Sequence, residues 1–438
     1  MQTLTIFEHD TTTDYTWTDK DVAALDRLRD QYGAEVLQPT FRKNVHALKA
    51  TQFVGMLRIG HRIIHILPKM YRPSANLTET EKKREAAANL LSMLSYAGDL
   101  PVHQSEITSL LQRDISWLEI LTRLFSVNLM RLWQMGPARN YESCHDELPR
   151  LKGKWRFSDQ LRRPDRRHIL SVTYDEFTVN NRFNRVLRFV VEQLWAITRD
   201  STNRQRLGTL RDWMSEVELP LMITAAEMSV VRTTHLNERF TPVMNLAKLF
   251  LQGRSLELSS GRIETYAVLF DMNRLFEDFL VNFIRRHRQA ILPTELSNCD
   301  LLPQSKGISI HLAAKGNKPL FRLKPDLVFR SGTLFPLLMD AKYKILDPAD
   351  RTLGVNQDDF YQMFAYSQCF PSPVVLLLYP VTAATSSIPL QRLEFAGKLG
   401  CVVIGTIDLR LDMSRSNDIK KLIDQLKEIF QYALEKNT

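Results

Sequence analysis

The sequence predicts a multidomain chain of mixed α/β and α+β class, and three observations lead to that prediction. Residues 1–75 alternate apolar and polar side chains, which is typical of half-buried strands. Residues 76–258 carry apolar side chains mainly at helical spacing. Residues 259–438 mix both periods and contain the apolar run 373–379, which favours a strand buried on both faces. We therefore predict a small β-rich module, a mainly helical middle region, and a last domain with a mixed central sheet flanked by helices.

Composition limits the classes of partner. A chain of 438 residues can form two or three domains with separate cores. Its formal charge of +9 fits a phosphate-rich partner such as DNA, because lysine and arginine release counterions when they neutralise phosphates. The beginning of the chain lacks the pattern of a signal peptide, and no apolar run approaches the roughly 20 residues that span a bilayer. We expect a cytoplasmic protein with no membrane contact and no small-molecule substrate.

Cysteine and histidine spacing gives no metal site. The four cysteines are far apart without a C-x-x-C pair, so we expect reduced thiols rather than a disulfide framework or zinc ribbon. In the β-rich module, Gly60 is expected at a turn and Pro68 at a strand end. His61 and His65 would share a strand face, but no third ligand is nearby. A metal role for this pair is therefore not favoured.

The middle region is predicted to be helical around one basic stretch. The boundary to the last domain is placed at Gly253 and the Ser-Ser-Gly cluster 259–261. Residues 140–170 concentrate basic side chains around Trp155 and Phe157, and this pattern fits DNA contact, contact with a partner protein, or a solvated linker. The predicted helices are an amphipathic helix capped by Thr78 or Thr80, and helices over 116–134, 174–199, 204–216 and 244–251.

The most informative stretch is a predicted hairpin over residues 323–344. Two apolar runs flank Ser331-Gly332, a pair that supplies a tight reversal. Because side chains alternate along a strand, Asp340 and Lys342 share one face, and Asp326 on the first arm lies close to Asp340. Paired carboxylates bind Mg²⁺, and a nearby lysine can hold an attacking water. The arrangement suits phosphodiester hydrolysis; the alternative is a surface hairpin with an Asp-Lys salt bridge.

Segments on both sides of the hairpin extend this pattern. A helix over Tyr266 to Arg288 would carry Glu277. A helix over residues 359–366 would present Gln362 and Tyr366 four positions apart on one face. The other predicted elements of the last domain are strands over 307–313, 373–379, 390–395 and 401–407, and a closing helix over 419–434.

These motifs support a resemblance to a known family. Helix, hairpin with Asp…Asp-x-Lys, and helix with Gln-x-x-x-Tyr is the order of PD-(D/E)xK nucleases. The motifs D-M-N-R-L-F-E-D-F-L, L-K-P-D-L-V-F, M-D-A-K-Y-K and D-F-Y-Q-M-F-A-Y resemble McrC, the nuclease subunit of McrBC-type modification-dependent (5-methylcytosine) restriction systems. The stretches Phe53 to Met70, which ends in Pro-Lys-Met, and Tyr174 to Arg188 are similar to further segments of that family.

The hairpin chemistry and the resemblance together give each site residue an expected role. Asp326, Asp340 and the backbone carbonyl of Ala341 would bind Mg²⁺, for which Mn²⁺ can substitute, and Glu277 would add a ligand through water. Lys342 would position or polarise the attacking water. Gln362 and Tyr366 would orient the scaffold or touch phosphate.

The resemblance also implies partners. The chain has no G-x-x-x-x-G-K-[ST] phosphate loop. A separate McrB-like AAA+ GTPase hexamer would supply nucleotide hydrolysis, and the N-terminal module of this chain would dock on it and stimulate it. The implied function is DNA cleavage in defence against foreign modified DNA. Two alternatives stay open: a motor-independent nuclease of DNA repair, and a non-catalytic adaptor that activates an AAA+ partner.

Overall fold

In the computed structural model, the chain folds into two compact units. Residues 1–114 and 253–438 form the first unit, and residues 115–252 form the second. The units differ from the three predicted regions, because the N-terminal module and the last domain lie in one unit. The structure describes residues 2–13, 16–42, 45–59, 62–71, 78–98, 117–162, 168–223, 228, 231, 234–252, 254–256, 263–381, 388–397 and 400–435.

The N-terminal part of the first unit is rich in strands, as predicted, but it also contains an unpredicted helix. The strands are β1 (Gln2–Phe7), β2 (Thr11–Thr12), β3 (Leu37–Arg42), β4 (Val45–Ala50), β5 (Phe53–Ile59) and β6 (Arg62–Leu67). The unpredicted helix α1 (Asp19–Tyr32) packs against β3. Strand β6 ends directly before Pro68, and a 3₁₀ turn (Lys69–Tyr71) follows. Gly60 and His61 lie outside the described residues.

Helix α2 (Glu79–Ala97) begins at the predicted cap. The Thr78 side chain accepts a hydrogen bond from the Glu81 N–H, and the Glu81 carboxylate accepts one from the Thr78 N–H. This reciprocal pair satisfies two backbone donors that a helix start leaves open. The helix packs on the helix that carries Glu277, so it supports the last domain rather than a separate helical region.

The second unit combines helices with a three-stranded sheet of order β7-β9-β8. Its helices are α3 (Trp117–Gln134), α4 (Phe157–Leu161), α5 (Arg182–Ile197), α6 (Ser201–Trp213) and α7 (Thr241–Gln252). Its strands are β7 (Asn140–Leu148), β8 (Lys154–Trp155) and β9 (Leu170–Thr178). The basic stretch therefore forms strands β7 and β8 and helix α4. The helix predicted from Tyr174 is wrong at its start, because Leu170–Thr178 is a strand and Asn181 caps the helix.

The chain returns to the first unit through a strand where a helix was predicted. Tyr266 lies in β11 (Ile263–Asp271), which pairs with β5 and with β10 (Arg254–Leu256). Helix α8 (Met272–Arg286) starts only after Asp271, whose side chain caps it. Gly55 of β5 permits this pairing, because a Cβ there would collide with the Val268 carbonyl oxygen. The predicted boundary cluster 259–261 lies outside the described residues.

The last domain is built on a six-stranded mixed sheet, as predicted, in the order β12-β15-β16-β17-β19-β18. The strands are β12 (Asp300–Pro303), β13 (His311–Lys315), β14 (Lys318–Arg322), β15 (Leu327–Ser331), β16 (Leu334–Ala341), β17 (Val374–Pro380), β18 (Gln391–Glu394) and β19 (Cys401–Ile407). Every residue of β17 is buried, as its apolar run predicts. The strand predicted over 307–313 is wrong in extent: β13 starts at His311 and pairs only with β14, outside the central sheet.

Helices complete this domain. They are α9 (Arg288–Ile291), α10 (Thr294–Ser297), α11 (Gln357–Cys369) and α12 (Ser416–Leu434). Helices α11 and α12 both pack on β17, and α8 packs on β16. All four cysteines are free thiols, as predicted. None of the described helices has the length and apolar character that a membrane crossing requires.

Candidate active site

The hairpin of β15 and β16 brings the two predicted aspartates together. Leu327 pairs with Met339, so Asp326 before β15 and Asp340 near the end of β16 lie at the same end of the hairpin. The Ala341 N–H donates a hydrogen bond of 2.7 Å to Asp326 Oδ2. Gly332 has φ of 62° in the turn, a conformation that glycine adopts at little cost. The turn chemistry therefore fixes the register that places both carboxylates.

Lys342 links the hairpin to helix α11. Its Nζ lies 2.7 Å from Asp340 Oδ2 and donates a hydrogen bond of 3.0 Å to Gln362 Oε1. Gln362 Nε2 in turn donates to the Tyr366 hydroxyl at 2.6 Å. Of the predicted pair on one face of the helix, Gln362 therefore contacts the predicted lysine and Tyr366 contacts Gln362. Gln362 and Tyr366 support the lysine head group from α11.

Burial and like charges perturb the carboxylates. Asp326 is 7% exposed and Asp340 is 2% exposed. Burial, and then the charges of Asp340 and Glu277, raise the pKa of Asp326 far above its usual range. Burial also raises the pKa of Asp340, although Lys342 opposes this shift. Burial and the charge of Asp340 raise the pKa of Glu277 to about 7, so the helix glutamate belongs to the same electrostatic cluster.

This cluster fits a divalent cation with open coordination positions. Asp340 and Glu277 raise the pKa of Asp326, and Asp340 raises the pKa of Glu277, so these carboxylates require a positive charge beyond Lys342 to be ionised together. Among the described residues, no group of three or more His, Cys, Asp or Glu side chains is placed to hold a metal ion. Mg²⁺ does not need one, because it is commonly held by one or two carboxylates and keeps several waters.

A cleft opens beside the carboxylates. It has a volume of about 390 Å³, and both Glu277 and Asp326 line it. Its other walls carry a group of basic side chains, namely Arg274, Lys306, Arg322 and Lys324. A cleft lined by these four cations and by Glu277, Asp278 and Asp326 is suited to an anionic substrate that reacts at a bound metal.

The candidate site also contains two residues that were not predicted: Asp359 on α11, and Lys344, which follows β16. Lys344 Nζ lies 2.6 Å from Asp359 Oδ2, next to the pair formed by Lys342 and Asp340. The sequence carries a signal for both. Lys344 follows Lys342 by two positions and so continues the same face, and Asp359 precedes Gln362 by one helical turn.

The Pro-Lys motif supplies a second unpredicted contact. Lys69 Nζ donates a hydrogen bond of 2.7 Å to the Tyr343 carbonyl and lies 4.0 Å from the centroid of the Tyr343 ring. Glu8 is fully buried and lies 3.8 Å from Lys69 Nζ. The N-terminal strands are thereby attached to the residue that follows Lys342. No local pattern predicts this contact.

Fold and site together define a class: a multidomain α+β protein with a carboxylate–lysine site on a mixed sheet. A model of the family described as McrBC 5-methylcytosine restriction system component matches residues 48–380. The chain belongs to this family, which in general terms makes it a subunit of a restriction nuclease. No curated protein sequence matches the chain.

Two solved structures are similar to this chain, and the first of them supports the fold. A chain in the half-complex from a tetradecameric assembly of Thermococcus gammatolerans McrB AAA+ hexamers with bound McrC has a TM-score of 0.64 and 23% identity. The match covers 98% of this chain and 100% of that one. A chain in the cryo-EM structure of the Thermococcus gammatolerans McrBC complex has a TM-score of 0.48 and 24% identity, over 66% of this chain and 88% of that one.

Proposed function

We propose that this chain is the DNA endonuclease subunit of a McrBC-like restriction system, with a Mg²⁺-dependent active site of the PD-(D/E)xK type. The observation that carries the proposal is the convergence of Asp326, Asp340 and Lys342. Two buried carboxylates and a lysine meet at one end of a hairpin, beside a cleft with cationic walls. Family membership supports the same reaction, because the family is one of restriction components.

The proposed metal ligands are Asp326, Asp340 and the backbone carbonyl of Ala341, with Glu277 acting through water. When bound, Mg²⁺ would stabilise charge on the scissile phosphate and lower the pKa of a water. Mn²⁺ has the same preference for oxygen and would substitute. The protein contributes preorganisation, because the Ala341 N–H already holds one oxygen of Asp326 in place.

Lys342 is the proposed residue for orienting the attacking water. Asp340 keeps its ammonium charged: burial lowers the pKa of Lys342, but the adjacent carboxylate more than offsets this, and the net shift is upward. A charged ammonium cannot act as a general base, so it would donate hydrogen bonds to the water or to the phosphate oxygens. Gln362 and Tyr366 are proposed as positioning residues that hold this head group from α11.

The proposed partner is a McrB-like AAA+ GTPase hexamer. The related half-complex holds McrC bound to McrB AAA+ hexamers, and its fold matches nearly the whole length of this chain. In this proposal the N-terminal part of the chain docks on the motor and stimulates it, and the last domain cuts DNA. Foreign modified DNA would be the substrate and the cytoplasm the place of action.

A nuclease assay with the purified chain tests the proposal against its two rivals. Plasmid DNA, methylated or unmethylated, would be incubated with Mg²⁺, with and without the GTPase partner and GTP. We expect cleavage of methylated DNA that depends on partner and GTP. Cleavage by the chain alone would support a motor-independent nuclease instead. Activation of the partner without any cleavage would support the adaptor.

A further inference from the structure

Strands β13 and β14 form a two-stranded ribbon that stands apart from the central sheet. Every residue of β14 is exposed, and so is every residue of β13 after His311. A ribbon with so little burial gains almost nothing from a hydrophobic core, because an isolated two-stranded hairpin is only marginally stable. Its sequence is therefore free to serve contact with another molecule.

The ribbon and its two flanks carry positive charge only. Residues 301–325 contain five lysines and arginines and no aspartate or glutamate. Lys315 stands directly opposite Lys318 across the turn, an arrangement that is unfavourable for the isolated ribbon. Within the part of the chain that the structure describes, neither lysine forms an ion pair. The charge of this lysine pair thus has no ion-pair partner among the described residues and fits an external polyanion.

Phe321 adds an apolar contact to this charge. Its side chain is 72% exposed, and its backbone has φ of 56°. A non-glycine residue in this left-handed region is strained, and an exposed aromatic ring there contributes nothing to the core. Strained backbone conformations of this kind cluster at active sites and ligand-contacting segments.

The base of the ribbon is attached to the proposed active site. The Leu323 N–H donates to the Ile310 carbonyl at 2.9 Å and closes the ribbon. The Gln304 N–H donates to the Asp326 carbonyl, also at 2.9 Å, so the chain that enters the ribbon is bonded to the metal-ligand candidate. Lys324 and Arg322 at the end of the ribbon line the same cleft as Asp326 and Glu277.

We propose that this ribbon is a DNA-contacting arm that holds the duplex next to the phosphate to be cut. The major groove of B-DNA, about 12 Å wide, admits a two-stranded ribbon. Lys315 and Lys318 neutralise backbone phosphates, and Phe321 packs against sugar or base. The inference rests on the proposed function and deepens it, since it assigns DNA positioning to residues outside the carboxylate–lysine cluster.

Duplex binding by the full-length chain tests the arm. All variants carry Asp340→Ala, so that DNA stays intact, and binding to a fluorescent duplex is followed by anisotropy over a range of salt. The tip variant combines Lys315→Ala with Lys318→Ala. A charge-matched control combines Lys420→Ala with Lys427→Ala, two exposed lysines of helix α12. Because each phosphate contact contributes about 0.9 to the slope of log affinity against log salt, the tip variant should lose about 2 from that slope, and the control nothing.

Phe321→Gly separates binding from folding. Glycine accepts the left-handed conformation, so thermal stability should not fall, whereas DNA affinity should fall at least about fivefold, the lower end of what a stacked aromatic contributes.

Equal affinity and equal salt slope in the tip variant and the control would overturn the proposal that the ribbon contacts DNA. Unchanged DNA binding with lost stimulation of the GTPase partner would also overturn it and assign the ribbon to a protein contact. If the wild-type chain with its partner cuts no DNA, the proposed function itself fails.

Discussion

Replacing Asp326 by Asn should stabilise the metal-free protein while it abolishes DNA cleavage. The substitution retains an oxygen that accepts the Ala341 N–H, but it removes one of three clustered carboxylates. Burial and the neighbouring charges of Asp340 and Glu277 raise the pKa of Asp326 from its ordinary value of 3.8 to about 9, so the folded metal-free protein holds a proton there at pH 7. About three pKa units therefore oppose folding at pH 7, and at about 1.4 kcal/mol per unit they cost about 4 kcal/mol at most. The buried amide N–H₂ group that the substitution introduces would lower the stability by about 1–3 kcal/mol if it lacks a hydrogen-bond acceptor.

The expected net gain is about 2 kcal/mol, or roughly 3 °C in Tm for a protein unit of about 300 residues. Thermal unfolding in EDTA measures it, with Asp424→Asn on the exposed face of α12 as the control that should change nothing. In millimolar Mg²⁺ the wild type should gain stability and the variant should not, because only the wild type binds the ion well. A variant that is less stable than the wild type in EDTA would refute the reasoning.

Three further predictions concern the contacts around the site. Lys69→Met should lower the unfolding free energy in urea titrations by about 1–3 kcal/mol, because the Tyr343 carbonyl and Glu8 lose a buried hydrogen-bond donor and Glu8 takes up a proton. Adding Glu8→Gln should restore part of this loss, and additive losses would contradict the pairing. Burial raises the pKa of Glu8 to about 7, above its unfolded value of 4.5, so the folded state holds that proton more tightly. The free energy of unfolding should therefore fall by up to about 3 kcal/mol between pH 4.5 and pH 7.5. The slope of this fall should be smaller in Glu8→Gln, and equal slopes in the two proteins would contradict the role of Glu8. Gln362→Leu should lower kcat about tenfold with little change in KM, because the Lys342 ammonium loses a hydrogen-bond acceptor. Gln357→Leu is the control and should leave kcat unchanged, because it removes an exposed glutamine–tyrosine pair of the same helix that does not contact Lys342.

The parts of the fold that follow from local chemistry were predictable. The Ser331-Gly332 turn and the alternation after it are sufficient to place Asp340 and Lys342 on one face. The four-residue spacing of Gln362 and Tyr366 likewise predicts a shared helix face. In each case the deciding interaction lies within about 20 residues along the chain, where period and turn type determine geometry.

The parts that depend on distant segments were not predictable. Tyr266 begins a run of apolar residues that fits a buried helix as well as a buried strand, and only its pairing with β5, far away in sequence, decides for the strand. The Lys69 contact joins residues 274 positions apart. Such contacts depend on how sheets assemble, and no single segment encodes them. The attachment of the N-terminal strands to the hairpin of the candidate site is therefore visible only in three dimensions.

Anomalous diffraction from a Mn²⁺-soaked crystal of the full chain tests the central claim most directly. The account predicts one strong anomalous peak within coordination distance of carboxylate oxygens of both Asp326 and Asp340, and its loss in Asp340→Ala. A peak that contacts neither carboxylate, or none at a Mn²⁺ concentration that supports DNA cleavage, would contradict the account.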